Sequence, residues 1–342
     1  PGGEAGRARW ILKILLLANQ PERTTRLRMF TGTLQSQGHE VIVPSFGTRN
    51  WISIARQAKR MALDHKPDVV HIFNVPDVIY HGFAGLRGRG YKRLIYDYRS
   101  PWGVEFAQTF LAPGKAFAER FERELAEAAD VITTVNEPLE KKVKEYAPQK
   151  KVHIVPNYPQ RSFCQKVDEI DGGEYAVQPG KGPIIFIGRV CTQEGIGKLL
   201  ELARAIPERE FWIVGGGPFA RYYLWRKPAN VRNLGWQPHE KVAALLGKAS
   251  LCLIPREENA LTPYSTDKSV WKLNEYLALG KIVVASGVTM IEKRKNLVIV
   301  PSRDLERAVR DNLLREPEPM DREDYRFWDL NDRVIKEVYE SL

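Results

Sequence analysis

The stretch Thr262-Pro-Tyr-Ser-Thr-Asp-Lys-Ser-Val-Trp-Lys-Leu-Asn-Glu275-Tyr-Leu-Ala-Leu-Gly280-Lys-Ile-Val-Val-Ala285 reads as a polar loop, a helix, a stop and a buried strand. Val270–Leu279 is the helix, and Gly280 follows it where a helix commonly ends. Ile282–Ala285 is a short apolar run rich in β-branched residues, which suits a strand. Another such run, Leu251–Ile254, precedes the loop. Strand, helix and strand in this order make a βαβ unit, whose two strands lie parallel.

The same alternation extends in both directions. Toward the amino end, Ile11–Leu17, Glu40–Pro44, Val69–Phe73, Arg93–Tyr96, Val131–Val135 and Val152–Val155 are expected strands. Thr24–Gln37, Trp51–His65, Lys115–Ala129 and Glu137–Tyr146 are expected helices between them. Residues 158–182 break the rhythm with Asp168, Asp171, Gly172, Gly173, Pro179, Gly180 and Gly182, and read as a linker. The pattern restarts at Pro183–Ile187 and runs through Phe211–Val214, Val231–Leu234 and Leu297–Val300 to a final helix over Arg322–Leu342. The expected fold class is α/β, with two doubly wound Rossmann-like domains facing across a cleft. The first domain spans residues 1–160, with the last helix, about 320–342, packing back onto it, and the second spans 161–319.

The chain has 342 residues, 52 Lys+Arg against 42 Asp+Glu, and a net charge of +10. Residues 1–170 carry +8 of it and the remainder +2, so the first half favours an anionic partner. No run approaches the roughly 18 apolar residues that a membrane span needs. The apolar run Trp10–Ala18 follows Arg7 and Arg9 in the manner of a signal peptide. It is interrupted by Lys13 and lacks a small-x-small cleavage site, so it reads as the first strand. The Pro-Gly-Gly opening reads as trimmed or vector-derived. Cys164, Cys191 and Cys252 lie far apart without a Cys-x-x-Cys. That pattern excludes a disulfide framework and a zinc module and fits a reduced, cytoplasmic setting.

In an open parallel sheet, ligands gather at the carboxyl ends of strands, beside helix N-termini that favour anions. Three loops stand there in the second half. Gly188-Arg189 follows a strand; the glycine permits close approach and the arginine can clamp a phosphate, although a plain turn with a surface arginine has the same sequence. Gly215-Gly216-Gly217-Pro218 follows another strand and is neither a Walker loop nor a dinucleotide fingerprint. The polar loop with Ser265 leads into the helix of Lys272 and Glu275, which share a face at i,i+3 and by themselves read equally as a solvated pair.

Together these segments resemble the retaining glycosyltransferases of family 4, which have the GT-B fold. The resemblance rests on Phe186-Ile-Gly-Arg189, the Gly-Gly-Gly-Pro turn, Asn233-Leu-Gly235, Ala249-Ser-Leu-Cys-Leu-Ile-Pro255 and Lys272-Leu-Asn-Glu275-Tyr-Leu-Ala-Leu-Gly280. In the first half it rests on Gln37-Gly-His-Glu-Val41, Tyr96-Asp-Tyr-Arg-Ser-Pro-Trp102, Ala129-Asp-Val-Ile-Thr-Thr-Val135 and Val155-Pro-Asn157. It implies transfer of a sugar from a nucleotide-sugar donor to an acceptor hydroxyl, a sugar, polysaccharide or lipid-linked acceptor being expected, with no metal and no cofactor. It implies a donor site of Gly188, Arg189, Gly216, Gly217, Ser265, Asp267, Lys272 and Glu275. Glu275 would hold the ribose hydroxyls as the second acid of the family's acid-x7-acid element, and Asp267 stands eight residues earlier as the first. Arg189 and Lys272 would neutralise the diphosphate. Asp97 and Arg99 would be the catalytic pair, orienting the donor sugar or the acceptor.

Three positions depart from the family pattern. Glu194 stands before Gly195 where relatives carry a lysine, leaving Lys272 as its replacement. Asn19-Gln-Pro-Glu-Arg-Thr24 replaces a glycine pair, and Ser100 replaces an acid. Arg56, Lys59 and Arg60 lie on an amphipathic helix and suit anionic lipid headgroups, which extends the cytoplasmic expectation to peripheral association with the membrane face. Two other classes fit less well. A nucleic-acid binder is permitted by the charge, but no helix-turn-helix, RRM or KH signature occurs and acids are interspersed, so no nucleic acid is expected. Another GT-B enzyme, such as a sugar-nucleotide epimerase, would need a carboxylate set that is not apparent.

Overall fold

The computed structural model describes residues 11–110, 113–165 and 181–342, and it divides into two compact units. The expected linker lies mostly outside the described residues, as does the Pro-Gly-Gly opening. The first unit is Pro1–Pro156 with Asn331–Leu342, and the second is Asn157–Leu330.

In the first unit six parallel strands form one sheet: β1 (Lys13–Leu17), β2 (Glu40–Ile42), β3 (Val69–Phe73), β4 (Arg93–Tyr98), β5 (Val131–Thr134) and β6 (Lys151–Ile154), in the order β2-β1-β3-β4-β5-β6. Every residue of β3 is buried, as befits a central strand covered on both faces. The covering helices are α1 (Thr25–Ser36), α2 (Trp51–His65), α3 (Trp102–Phe110), α4 (Pro113–Ala128) and α5 (Glu137–Lys144). Asn50 caps α2 by accepting from Ser53 N, and Asn136 caps α5 by accepting from Leu139 N, each satisfying a helix-start amide. Helix α3 is absent from the sequence expectation. It is a short helix of nine residues, and its packing against α4 supplies the apolar partners, Trp102 and Phe106 against Ala118 and Phe121.

The last helix, Asp332–Glu340, belongs to the first unit. Ile335, Val338 and Tyr339 fall at i, i+3 and i+4 and are buried, each contributing on the order of 1.5–3 kcal/mol. Asp332 Oδ1 accepts from Thr33 Oγ1 at 3.0 Å, and Tyr339 Oη lies 2.8 Å from His71 Nδ1. The helix is shorter than the expected 322–342. Residues 321–327 lack helical apolar spacing, and Trp328 N instead donates to Pro159 O at 2.9 Å within the second unit.

The second unit repeats the plan with β7 (Ile184–Ile187), β8 (Phe211–Val214), β9 (Val231–Gly235), β10 (Leu251–Pro255), β11 (Val283–Ser286) and β12 (Leu297–Ile299), in the order β12-β11-β10-β7-β8-β9, all parallel. Its helices are α6 (Arg161–Cys164), α7 (Ile196–Ala205), α8 (Ala220–Tyr223), α9 (His239–Gly247), α10 (Trp271–Ala278) and α11 (Leu305–Asn312). The strand alternation divides the core into two layers. Ile185, Trp212, Val214, Cys252 and Ile254 pack on one face, while Ile184, Phe186, Phe211, Ile213, Leu251 and Leu253 pack on the other.

Candidate functional site

In the second unit the loops after β7, β8 and β10 meet because glycine lets their backbones touch. A Cβ on Gly215 would stand 1.9 Å from Gly188 O, and one on Gly195 would stand 1.8 Å from Pro255 O. Both residues have positive φ, +142° and +80°, so neither position tolerates another side chain. Gly188 N donates to Val214 O and Val190 N to Gly216 O, each at 3.0 Å, which ties the first two loops together.

Charged groups converge on this junction. Lys272, in the first turn of α10, places Nζ 2.5 Å from Glu194 Oε2 and 4.6 Å from the centre of the Phe186 ring. Arg256, directly after β10, donates from Nη2 to Glu194 Oε1 at 2.9 Å and from Nη1 to Ser265 Oγ at 3.1 Å. A cation in the first turn opposes the helix dipole, and Glu194 offsets that cost. Burial pushes the Glu194 carboxyl up, but the charges of Lys272 and Arg256 outweigh it and hold it down to about 2. Burial pulls Lys272 below the ordinary lysine value although Glu194 opposes this. The cluster therefore holds two cations and one fixed anion, a net single positive charge, beside the Gly188 backbone.

Of the expected donor-binding residues, Gly188, Ser265 and Lys272 come together here. Gly216 and Gly217 line the adjoining loop, and a Cβ on Gly217 would lie 3.5 Å from Arg189 Cγ, with the Arg189 side chain exposed. Glu275 lies one turn along α10 from Lys272 and faces another partner, His239 Nε2 at 3.0 Å. His239 begins α9 and its ring lies tilted against Phe163 at 4.7 Å between ring centres. Asp267 is a correction. It is buried, Oδ1 accepts from Ile291 N at 2.6 Å, and its backbone O accepts from Asn274 Nδ2 at 2.8 Å. Burial raises the pKa of its carboxyl, and its bond to Ile291 N holds the loop rather than leaving the group exposed.

The first unit gives a second correction. Asp97 on β4 is fully buried, and Arg26 of α1 grips it at both oxygens, Nε to Oδ2 at 2.7 Å and Nη2 to Oδ1 at 2.8 Å. Thr133 Oγ1 donates to Oδ1 at 2.7 Å, and Arg26 Nη1 donates to Val155 O at 2.6 Å. This buried pair fastens the start of α1 to the ends of β4, β5 and β6, and leaves Asp97 no atom for a substrate. The sequence offered no sign that Arg26 was its partner, seventy-one positions away. Arg99 is half-buried; its backbone N donates to Asn74 Oδ1 at 3.0 Å and its Nε to Asn74 O.

Beside Arg99 lies a group of buried acids and phenols. Tyr96 Oη donates to Asp77 Oδ1 at 2.5 Å, and Tyr146 Oη to Glu122 Oε2 at 3.2 Å. Burial, aided by the charge of Glu105, pushes the Asp77 carboxyl up to about 7, and burial aided by the charge of Asp77 pushes that of Glu122 up to about 8. Arg256, His239 and this acid group were missed by sequence reasoning. Arg256 carried one usable sign, its place two residues after a predicted strand. Among the described residues no group of three or more His, Cys, Asp or Glu can hold a metal ion.

Each unit matches a known protein family. Residues 33–158 match the model described as Glycosyltransferase Family 4, and residues 181–315 match Glycosyl transferases group 1. No curated protein matches by sequence. Among solved structures, sucrose-phosphate synthase from Thermosynechococcus elongatus superposes with a TM-score of 0.68 at 15% identity, covering 95% of this chain and 94% of that one. Anabaena HepE, in complex with UDP and glucose, superposes with a TM-score of 0.63 at 13% identity, covering 97% and 100%. The catalytic domain of starch synthase IV from Arabidopsis thaliana, bound to ADP and acarbose, gives 0.63 at 11% identity, covering 97% and 99%.

Proposed function

The chain belongs to the GT-B glycosyltransferases, and we propose that it is a metal-independent, retaining enzyme whose second unit holds the nucleotide-sugar donor. The observation that carries the reading is the meeting of Lys272, Arg256 and the Gly188 backbone at the carboxyl ends of β7 and β10. A leaving diphosphate needs positive charge that is fixed before the reaction begins. Arg189 stands exposed next to Gly188 on the loop after β7 as a third cation. In the proposed step the bond from the anomeric carbon to the diphosphate oxygen breaks through an oxocarbenium-like state. The acceptor oxygen bonds on the same face, and its proton passes to the departing phosphate. Glu275 and His239 form the polar pair suited to ribose hydroxyls. Arg99 is the remaining first-unit candidate for orienting the acceptor.

The acceptor is proposed to be a sugar, polysaccharide or lipid-linked hydroxyl. On α2, Arg56 and Arg60 are exposed and Lys59 is half-buried, with Ile52 and Leu63 exposed beside them, a face suited to an anionic membrane. Among the described residues no helix is long and apolar enough to cross a membrane.

A thermal-shift panel of UDP-, GDP- and ADP-sugars, with and without chelator, tests the donor reading, because a ligand of the folded state raises its stability by mass action. One nucleotide should stand out and chelator should not matter. Lys272→Ala or Arg189→Ala should lower turnover on the order of 10²–10³-fold, as does loss of one transition-state donor. A near-normal rate with both replaced would overturn the assignment, and anomeric inversion in the product would overturn retention.

A further inference from the structure

The second unit carries an exposed surface outside the residues assigned to the donor. From Phe211 to His239 the chain has Arg221, Arg226, Lys227 and Arg232 and no Asp or Glu. The unit is otherwise nearly balanced in charge, so this segment is a local positive patch. Within it, Phe219, Tyr222 and Trp225 are 68%, 76% and 77% exposed.

Their exposure follows from the local helix. Tyr223 N donates to Phe219 O and Leu224 N to Ala220 O, so residues 219–225 run in helical turns around α8. Ala220, Tyr223 and Leu224 point inward and pack on the core layer beneath β8. That fixes Phe219, Tyr222 and Trp225, at i, i+3 and i+6, on the outward face. Tyr223 Oη lies 3.0 Å from Thr192 Oγ1, which anchors the turn to the loop after β7. Arg226 lies over the Trp225 ring at 5.3 Å, and Arg221 is exposed beside it. Trp236, 78% exposed, leaves the adjoining strand β9 at the same end of the sheet.

A contiguous group of large exposed apolar side chains marks an interaction surface. We propose that Phe219, Tyr222 and Trp225, with Arg221 and Arg226, form an interfacial anchor that seats the second unit on an anionic lipid surface. Aromatic side chains with polar edges suit the headgroup layer, Phe gains from reaching the acyl chains, and the arginines meet lipid phosphates. A glycan platform commonly adds carboxylates or amides to its aromatic rings to bind sugar hydroxyls. The segment has no carboxylate, and each of its amides bonds within the chain: Asn230 Nδ2 donates to Ala203 O, Ile206 O and Arg209 O, Asn233 Oδ1 accepts from Gly235 N, and Gln237 Nε2 donates to Leu234 O. The anchor deepens the proposed acceptor reading by naming a lipid surface, and its physical basis does not depend on sugar transfer.

The test is co-sedimentation of the full chain with vesicles of phosphatidylcholine alone or mixed with phosphatidylglycerol, at low and high salt. Wild type should bind the anionic vesicles, with a blue shift in tryptophan emission. Replacing both aromatics, as Phe219→Ser with Trp225→Ser, should weaken binding at least about tenfold, since one large side chain withdrawn from an apolar layer is worth that much. Phe219→Trp with Trp225→Phe should retain it. Arg221→Glu with Arg226→Glu should abolish the preference for anionic vesicles. Arg56→Glu with Arg60→Glu on α2 separates the two surfaces. Nucleotide-induced thermal shifts should be unchanged in the aromatic variants, which shows that they fold and keeps this test apart from the donor reading. No vesicle binding by wild type overturns the anchor. So does binding that depends on α2 alone, or binding of single-stranded RNA or soluble polysaccharide that the aromatic variants lose while vesicle binding stays.

Discussion

Replacing Glu194 with glutamine removes the anion that Lys272 and Arg256 share while keeping its shape. The carboxyl is held from its ordinary 4.5 down to about 2, so its contribution to stability is fully present above pH 4.5 and is lost as pH falls through about 2. A depression of that size corresponds to about 3 kcal/mol at neutral pH. Desolvation of Lys272 works against it, and the net loss in the glutamine variant should be about 2 kcal/mol, within the range for breaking a largely buried pair. For a unit of this size that is a fall of roughly 4–8 °C in Tm. A diphosphate should reverse the sign. With Glu194 neutral, two cations face the donor unopposed, and one freed charge-assisted hydrogen bond is worth about tenfold in affinity. Differential scanning fluorimetry and titration calorimetry with UDP, GDP and ADP measure both quantities. The expected outcome is a less stable free protein that binds one nucleotide more tightly. An unchanged Tm would refute the charge cluster, and weaker nucleotide binding would refute competition between Glu194 and the diphosphate.

Two further outcomes follow from the first unit. Asp97→Asn should cost about 3–5 kcal/mol in urea unfolding, because it leaves Arg26 buried without its counter-charge, and nucleotide affinity of the folded fraction should not change. Glu122→Gln should raise Tm more at pH 8 than at pH 5. The folded carboxyl has a raised pKa, about 8, so its contribution is present below 4.5 and is lost as pH rises through 8. A variant equally stabilised at both pH values would show that Glu122 is not buried as an acid.

The sequence by itself determined the two doubly wound halves, because continuous apolar strands, amphipathic helices and helix-ending glycines are local signals. It also located the loops after β7 and β8 and the helix of Lys272, since strand ends are legible wherever a strand is. It did not determine which charged groups meet. Asp97 and Asp267 read as ligand-facing, yet Asp97 lies on β4 and is gripped by Arg26 from α1, and Asp267 accepts from the amide of Ile291. Glu194 read as a missing lysine and proved to be the anion joining Lys272 to Arg256, sixty-two positions away. The outward aromatics at 219, 222 and 225 could have served a core until α8 turned its other face inward. Local spacing specifies backbone elements. The partner of a charge, and the face that stays wet, are fixed only when elements distant in the chain pack together.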